Sequence, residues 1–233
     1  MRKRLSALLG VMLALSFAFA ALTALLYAAG TNAPLMHSLF LAHAPSEATG
    51  LPETEYGPVA EMTAAYLGGD TDQFQHSFAA DDGTIYLCFN AKEQQHMADC
   101  AALFRLCRTA MWVSGGLTLA LAGMAIILWQ ERKRLLLAFA RTMAAVLLAI
   151  ALAAAWACAG FDSLFVLFHR LAFTNDLWLL NPATDMLIRL MPIGFFITYA
   201  AAVGAAWLIF CLACAVAAYR FGRRMPPVPN RGI

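Results

Sequence analysis

The run LSALLGVMLALSFAFAALTALLYAA, Leu5–Ala29, decides the class of this protein. It contains no charged side chain and exceeds the ~20 helical residues needed to cross a hydrocarbon core of ~30 Å. Met1-Arg2-Lys3-Arg4 precede it as they would precede a secretory signal. The apolar stretch is longer than the roughly 7–15 residues of a signal core, so the reading is a retained transmembrane helix. Three further runs of this kind follow, at Ala110–Gln130, Leu135–Gly160 and Ile193–Tyr219. All are apolar around most of the helical circumference, so periodicity does not tell which face packs inward. A chain of 233 residues that is 62% hydrophobic and 13% charged is not an ordinary soluble domain.

Charge gives the expected orientation. Arg2, Lys3 and Arg4 precede the first run, Arg132, Lys133, Arg134 and Arg141 surround the turn between the second and third, and Arg220, Arg223, Arg224 and Arg231 follow the fourth. Eleven of the 16 basic residues therefore share one side, with Glu131 as the only acid there. The other acids, with Lys92, Arg105, Arg108, Arg170 and Arg189, fall in the two opposite segments. The excess of Lys and Arg marks the cytoplasmic side. The expected fold is thus an all-α membrane protein with four transmembrane helices, both termini cytoplasmic and an extracytoplasmic cap. Its divisions are 1–30 (first span), 31–107 (cap), 108–160 (second span, cytoplasmic turn and third span), 161–192 (second cap segment) and 193–233 (fourth span and tail). The overall charge of +2 conceals this split and gives no reason to expect nucleic acid as a partner. Met225-Pro226-Pro227-Val228-Pro229-Asn230-Arg231 reads as a short extended tail.

Within the cap, Glu55–Leu67 has the pattern of an amphipathic helix, with Tyr56, Val59, Thr63, Tyr66 and Leu67 on one face and Gly68-Gly69 ending it. Tyr56 and Tyr66 either pack there as core or line a substrate pocket. Thr84–Phe89 is a short β-prone run. Asn90 followed by Glu93 predicts a capping box that opens a helix leading to the second span.

Six cysteines supply no disulfide framework. Cys158, Cys211 and Cys214 lie inside predicted spans, where they serve as small apolar residues. Cys100 and Cys107 lie two turns apart on one predicted helix, too distant to bridge, and a Cys88–Cys100 bond is open. Cys211-Leu212-Ala213-Cys214 has the Cys-x-x-Cys form of membrane thiol oxidoreductases. Eighteen residues into its helix, though, the first cysteine stands about 27 Å from Ile193, near the cytoplasmic face. No His-Glu-x-x-His or Gly-x-Ser-x-Gly is present, which removes the common zinc protease and serine hydrolase readings.

Of five histidines, His37, His43 and His76 read as surface residues. His96 shares a helix face with Glu93 and Asp99, three residues to either side, as an imidazole held by a carboxylate would. His169 lies in an aromatic setting of Phe161, Phe165, Phe168, Phe173, Trp178, Phe195 and Phe196, followed by Arg170 and the Asn175-Asp176 pair. Titratable and polar groups beside lipid need partners or a purpose, and an imidazole there exchanges protons near neutral pH. A metal site using both histidines has no spacing signature. A cap that binds lipid or a partner protein without chemistry is the alternative.

EQQHMAD (Glu93–Asp99), then His169 in FHRLAFTNDLWLLNPATDMLIRLMPIGFF (Phe168–Phe196), resemble the lipoprotein intramolecular transacylase family over most of the chain. Cys100-Ala101 depart from the branched apolar residue and lysine expected there, Asn181 replaces an aspartate, and Ile193 takes a position that is commonly acidic. The resemblance implies transfer of an acyl chain from the sn-2 oxygen of a diacylglyceryl lipoprotein to the α-amino group of its N-terminal cysteine, giving a lyso form. It implies membrane lipid around the site, His96 and His169 as the acid/base pair, and no metal or cofactor. Asn175, Arg170 or backbone N–H groups are then candidate oxyanion donors. The remaining site residues expected are Glu93, Asp99, Asp176, Trp178, Tyr56, Tyr66, Phe168 and Phe173. One geometric demand follows. On a straight helix His96 stands about 20 Å above Thr109, while His169 follows the third run closely. A bend or oblique approach between Cys100 and Arg108 is therefore expected, with the two imidazoles within about 12 Å of one another, a looser reach than the hydrogen-bond distance a loaded site requires.

Overall fold

The computed structural model describes residues 2–79, 83–127, 131–158 and 160–225, with the side chains of 156–158 left out. The extended tail from Pro226 onward, Arg231 with it, and the Cys158 thiol lie outside the described residues. The chain is all-α with four helices long and apolar enough to cross a membrane: α1 (Arg2–Gly30), α5 (Ala91–Ile127), α6 (Arg132–Cys158) and α9 (Ile193–Arg224). Between α1 and α5 lie α2 (Ala33–His43), α3 (Ser46–Thr49) and α4 (Tyr56–Gly68), then strands β1 (Ser77–Ala79) and β2 (Ile85–Leu87). Between α6 and α9 lie α7 (Phe161–Ala172) and α8 (Met186–Leu190). The strands form an antiparallel hairpin with Phe78 opposite Tyr86, an element that the β-prone run only half announced.

Two compact units divide the chain. The bundle unit comprises Met1–Leu25, Thr109–Ala159 and Gly204–Ile233. Its core is built from small side chains and a few large ones: Ala14, Ala18, Phe139, Ala140, Met143, Trp207, Cys211 and Ala215. Trp207, Cys211, Ala215 and Ala218 are all buried, and their spacing puts them on one face of α9. Backbones come into near contact: a Cβ on Gly10 would meet the Leu135 carbonyl oxygen at 2.4 Å. Ser16 Oγ donates to the Ser114 carbonyl at 3.1 Å and lies 2.8 Å from Thr118 Oγ1, and Trp207 Nε1 donates to the Ala18 carbonyl at 2.8 Å. Small residues with occasional interhelical hydrogen bonds are how helices associate when lipid is as apolar as the side chains.

The histidine unit comprises Leu26–Arg108 and Gly160–Val203. Its core is bulkier, with Phe40, Leu51, Tyr56, Val59, Phe89, Leu190 and Phe195 buried together. Asn32 caps α2 by accepting from the Leu35 N–H at 2.8 Å. The amphipathic pattern of Glu55–Leu67 is α4, which buries Tyr56, Val59, Thr63 and Leu67 and stops at Gly69 in the left-handed region (φ 85°). His43 lies 2.8 Å from Thr198 Oγ1 and His76 2.8 Å from Glu55 Oε2, so these two, expected as surface residues, are half-buried with partners. Among the described cysteines Cys88, Cys100, Cys107, Cys211 and Cys214 are free thiols.

The expected break in the His96 helix does not occur: α5 runs unbroken over 37 residues. At 1.5 Å per residue it is about 55 Å long, well beyond a ~30 Å core. Lys92, Glu93, Asp99, Arg105 and Arg108 crowd its first half, so the membrane-crossing part is the apolar stretch after Arg108. The residues after the third run form α7, which carries His169 about 12 Å along its axis from Phe161.

Candidate active site

Both imidazoles belong to the histidine unit. The capping box opens α5 as the sequence implies: the Glu93 N–H donates to Asn90 Oδ1 at 3.0 Å, and the Asn90 N–H donates to Glu93 Oε2 at 2.8 Å. His96 follows one turn later, 6% exposed. His169 is the buried residue of the last turn of α7, 7% exposed, between exposed Phe168 and Arg170. The two rings are 6.1 Å apart, centroid to centroid, and 31° from parallel.

Aromatic side chains surround the pair. Phe173 meets the His96 ring edge-on at 5.1 Å and lies 5.5 Å from His169. Phe165 at 4.2 Å, Trp178 at 5.0 Å and Phe168 at 5.3 Å complete the surroundings of His169. Such rings exclude water and present apolar faces to the imidazoles, which favours neutral rings. Burial pushes the His169 pKa below the ordinary histidine value, and the hydrogen bond to the Phe165 carbonyl works in the opposite direction. Two imidazolium ions at 6.1 Å would repel by about 3 kcal/mol at an effective dielectric constant near 20, so the pair holds at most one proton readily.

The Phe165 carbonyl also selects a tautomer. It lies 2.7 Å from His169 Nδ1, and a carbonyl oxygen only accepts, so Nδ1 carries the hydrogen. Nε2 is then the nitrogen with the lone pair. His96 has Nε2 3.7 Å from Cys100 Sγ, and its buried Nδ1 has no hydrogen-bond partner.

Glu93 does different work from that expected of it, while the Asp99 charge favours a protonated His96, as a carboxylate near the imidazole would. Glu93 is 1% exposed, and its second oxygen accepts from the Leu187 N–H at 2.5 Å, so both carboxylate oxygens bind backbone. Asp99 Oδ2 accepts from Asn175 Nδ2 at 2.9 Å, and Asn175 Oδ1 accepts from the Leu177 N–H at 3.1 Å. Asn175 therefore bonds at both ends and is a brace, while Asp176 and Arg170 are exposed. Tyr56 is wholly buried, with its hydroxyl donated to the Ala44 carbonyl and 3.0 Å from Thr49 Oγ1, which leaves nothing for a substrate. Tyr66 is half-buried, its ring 5.3 Å from that of Phe74 and tilted 53° to it.

Two residues escaped the sequence reading, Asp185 and Lys92, as did the part that the Phe165 backbone carbonyl plays. Asp185, 3% exposed, accepts from Asn90 Nδ2 at 3.0 Å, the Asn181 N–H at 2.8 Å and Thr184 Oγ1 at 2.9 Å, and Lys92 Nζ stands 3.8 Å away. Burial alone would raise its pKa, but these donors and the Lys92 charge outweigh it and hold the carboxyl below the usual range. The Asn90–Asp185 bond joins residues 95 positions apart, and no local pattern signals such a pairing.

The model of the family described as lipoprotein intramolecular transacylase Lit matches residues 9–196. No curated protein matches the chain. Among solved structures, the membrane integral lipoprotein intramolecular transacylase Lit from Bacillus cereus is similar at 21% identity and a TM-score of 0.70, over 94% of this chain and 95% of that one. Variants of the same Bacillus cereus protein, with one histidine changed to arginine or to alanine, match at 18% and 20% identity, each with a TM-score of 0.67. They cover 94% of this chain and 91% and 93% of theirs. These likenesses show a shared membrane-integral fold. A family match from Leu9 to Phe196, spanning both histidines, shows in turn that the chain belongs to the lipoprotein intramolecular transacylase family.

Proposed function

We propose that this chain moves the sn-2 acyl chain of a diacylglyceryl lipoprotein onto the α-amino group of the lipoprotein's own N-terminal cysteine, using His96 and His169 as an acid/base pair at the extracytoplasmic face. Family membership supports intramolecular transacylation of lipoproteins in general. The observation that carries the finer reading is the pair of nearly enclosed imidazoles at 6.1 Å, one with its tautomer held by a backbone carbonyl.

The chemistry asks for little else. Ester and amine belong to one molecule, so enclosure that folds the glyceryl group back supplies much of the rate; well-oriented intramolecular reactions gain roughly 7–11 kcal/mol this way. The amine nitrogen attacks the ester carbonyl carbon, forming the C–N bond and a tetrahedral oxyanion. His169 Nε2 takes the surplus N–H proton. The bond to the glyceryl oxygen then breaks, and a proton passes to that oxygen from the imidazole pair. One N–H is lost and one O–H gained, so no carrier or nucleotide is consumed. Neutral imidazoles with pKa values at or below about 6.5 suit both transfers near ambient pH. Asn175 Nδ2 gives one hydrogen to Asp99 and keeps a second, so the oxyanion's donors are Asn175, Arg170 or backbone N–H groups.

The side of the membrane follows from charge. Arg2, Lys3 and Arg4 open α1, Arg132, Lys133 and Arg134 open α6, and Arg223 and Arg224 close α9. These ends are cytoplasmic by the positive-inside rule, which leaves 31–107 and 161–192 as the extracytoplasmic cap. Mass spectrometry of a diacylglyceryl lipoprotein incubated with the purified chain tests the reading. An amide-linked acyl chain with one remaining ester is expected, and its formation should collapse in His96→Ala and in His169→Ala. Undiminished product from both variants would leave a lipid- or partner-binding membrane protein instead.

A further inference from the structure

Water competes with the amine for the same ester, and the segment after His169 is built to exclude it. Residues 173–190 leave α7, place Phe173 and Trp178 against the imidazoles, and return to α8. The outer side of this strap is polar and exposed at Thr174, Asn175 and Asp176. Leu180, Leu187 and Leu190 of the strap pack into the core of the unit, and its side-chain hydrogen bonds reach Asn90 and the opening turns of α5. Asn175 donates to Asp99, Lys92 Nζ donates to the Leu179 carbonyl at 2.5 Å, Asp185 accepts from Asn90, and the Leu187 N–H donates to Glu93. Four polar residues from Asn90 to Asp99 thus grip one strap at four points along its length.

That arrangement exceeds what holding a loop requires. Two carboxylates, Glu93 on α5 and Asp185 on the strap itself, are buried at 1% and 3% exposure within this set of bonds, although burying charge is costly unless every oxygen is satisfied. The same helix turns carry His96. The strap's inward rings and the His96 ring are therefore positioned by one set of bonds, and loosening the set admits water beside the reacting ester.

We infer that the 173–190 strap, latched by Lys92 and Asp185, determines whether the acyl chain passes to the amine or to water. Lys92 and Asp185 are positioning residues that keep the enzyme a transacylase and not a lipase. The inference rests on the proposal that His96 and His169 flank the ester. With the latch open, the two outcomes balance as follows. Attack by the amine gives an amide and a free glyceryl hydroxyl. Attack by water gives a free fatty acid and the same hydroxyl, with no N-acyl group formed.

The test uses the full-length chain in detergent with a synthetic diacylglyceryl-cysteine lipopeptide, in water enriched in ¹⁸O. N-acylated product and released fatty acid are quantified together. Lys92→Ala removes a partly exposed side chain and should leave the fold intact; Asp185→Asn keeps the shape of a buried one, and circular dichroism reports whether it folds. The expected result for Lys92→Ala is at least a tenfold rise in the ratio of ¹⁸O-labelled fatty acid to N-acyl product. A Lys92→Ala enzyme with an unchanged ratio, whether fast or slow, overturns the inference. The histidine proposal fails separately, through product formed by His96→Ala and His169→Ala, because its readout is total turnover and not partition.

Discussion

The bundle unit and the histidine unit bury different things. The bundle hides alanine, cysteine and a few large side chains, while Leu119, Ile126 and Ile127 stand 71–82% exposed on α5. The histidine unit hides a cluster of aromatic rings and two carboxylates. Where lipid is the solvent, an exposed leucine carries no penalty, so close backbone approach and single hydrogen bonds decide the contacts. Where water is the solvent, apolar burial decides them, and a buried charge must be matched oxygen by oxygen. The difference teaches that the proposed acid/base pair sits in the unit whose packing holds polar groups to fixed geometry by matched hydrogen bonds.

Substitutions in the two units should therefore read out differently. The largest effect is expected from His169→Ala: a loss of roughly 10²–10⁴ in turnover, the usual reach of general acid–base catalysis, with melting temperature little changed. A rate within threefold of the parent would remove His169 from the mechanism. Glu93→Leu comes next. It deprives the buried Leu187 N–H and the Asn90 N–H at the helix start of their acceptor, and a cost of roughly 1–3 kcal/mol should appear as lowered thermal stability. A parent-like melting curve would mean that the strap is not tied to α5 through this carboxylate.

The pH profile sharpens the comparison further. His169 has a lowered pKa from burial, so it stays neutral as pH falls through 6.5, and the acidic limb of turnover should lie below that value. The sign is the same for stability: a folded pKa below the unfolded one stabilises fully above about pH 6.5 and loses that contribution as pH falls through the folded value. Trp178→Ala should uncover the ring and move the limb upward. A limb at or above 6.5 in the parent contradicts an enclosed imidazole.

In the bundle, Trp207→Phe removes one hydrogen bond to the Ala18 carbonyl and should cost about 1 kcal/mol with turnover unaltered. The smallest effect belongs to Cys211→Ser with Cys214→Ser, which should be silent in turnover under both oxidising and reducing conditions. A redox-dependent change would revive the thiol reading.

Legibility followed the same division. The α4 face was readable because burial against water imposes a helical period on Tyr56, Val59, Thr63 and Leu67. The capping box was readable because Asn90 and Glu93 act over three residues. The inward faces of the spans were not, since nothing in composition separates Leu121, buried, from Leu119, exposed. The expected bend in α5 rested on His169 lying close to the end of the third run, and the α7 helix, which carries His169 along its axis, removes the need for it.

Local chemistry in the chain settled the number and place of the apolar helices, the charge asymmetry at their ends and the two histidines worth testing, because each depends on residues near one another in sequence. What brought His96 within 6.1 Å of His169, turned Glu93 from a partner of the imidazole into an anchor for Leu187, and enlisted Asp185 was folding. Those contacts join positions 73 to 95 residues apart. Their energy comes from desolvation and hydrogen-bond matching that exist only once the segments meet.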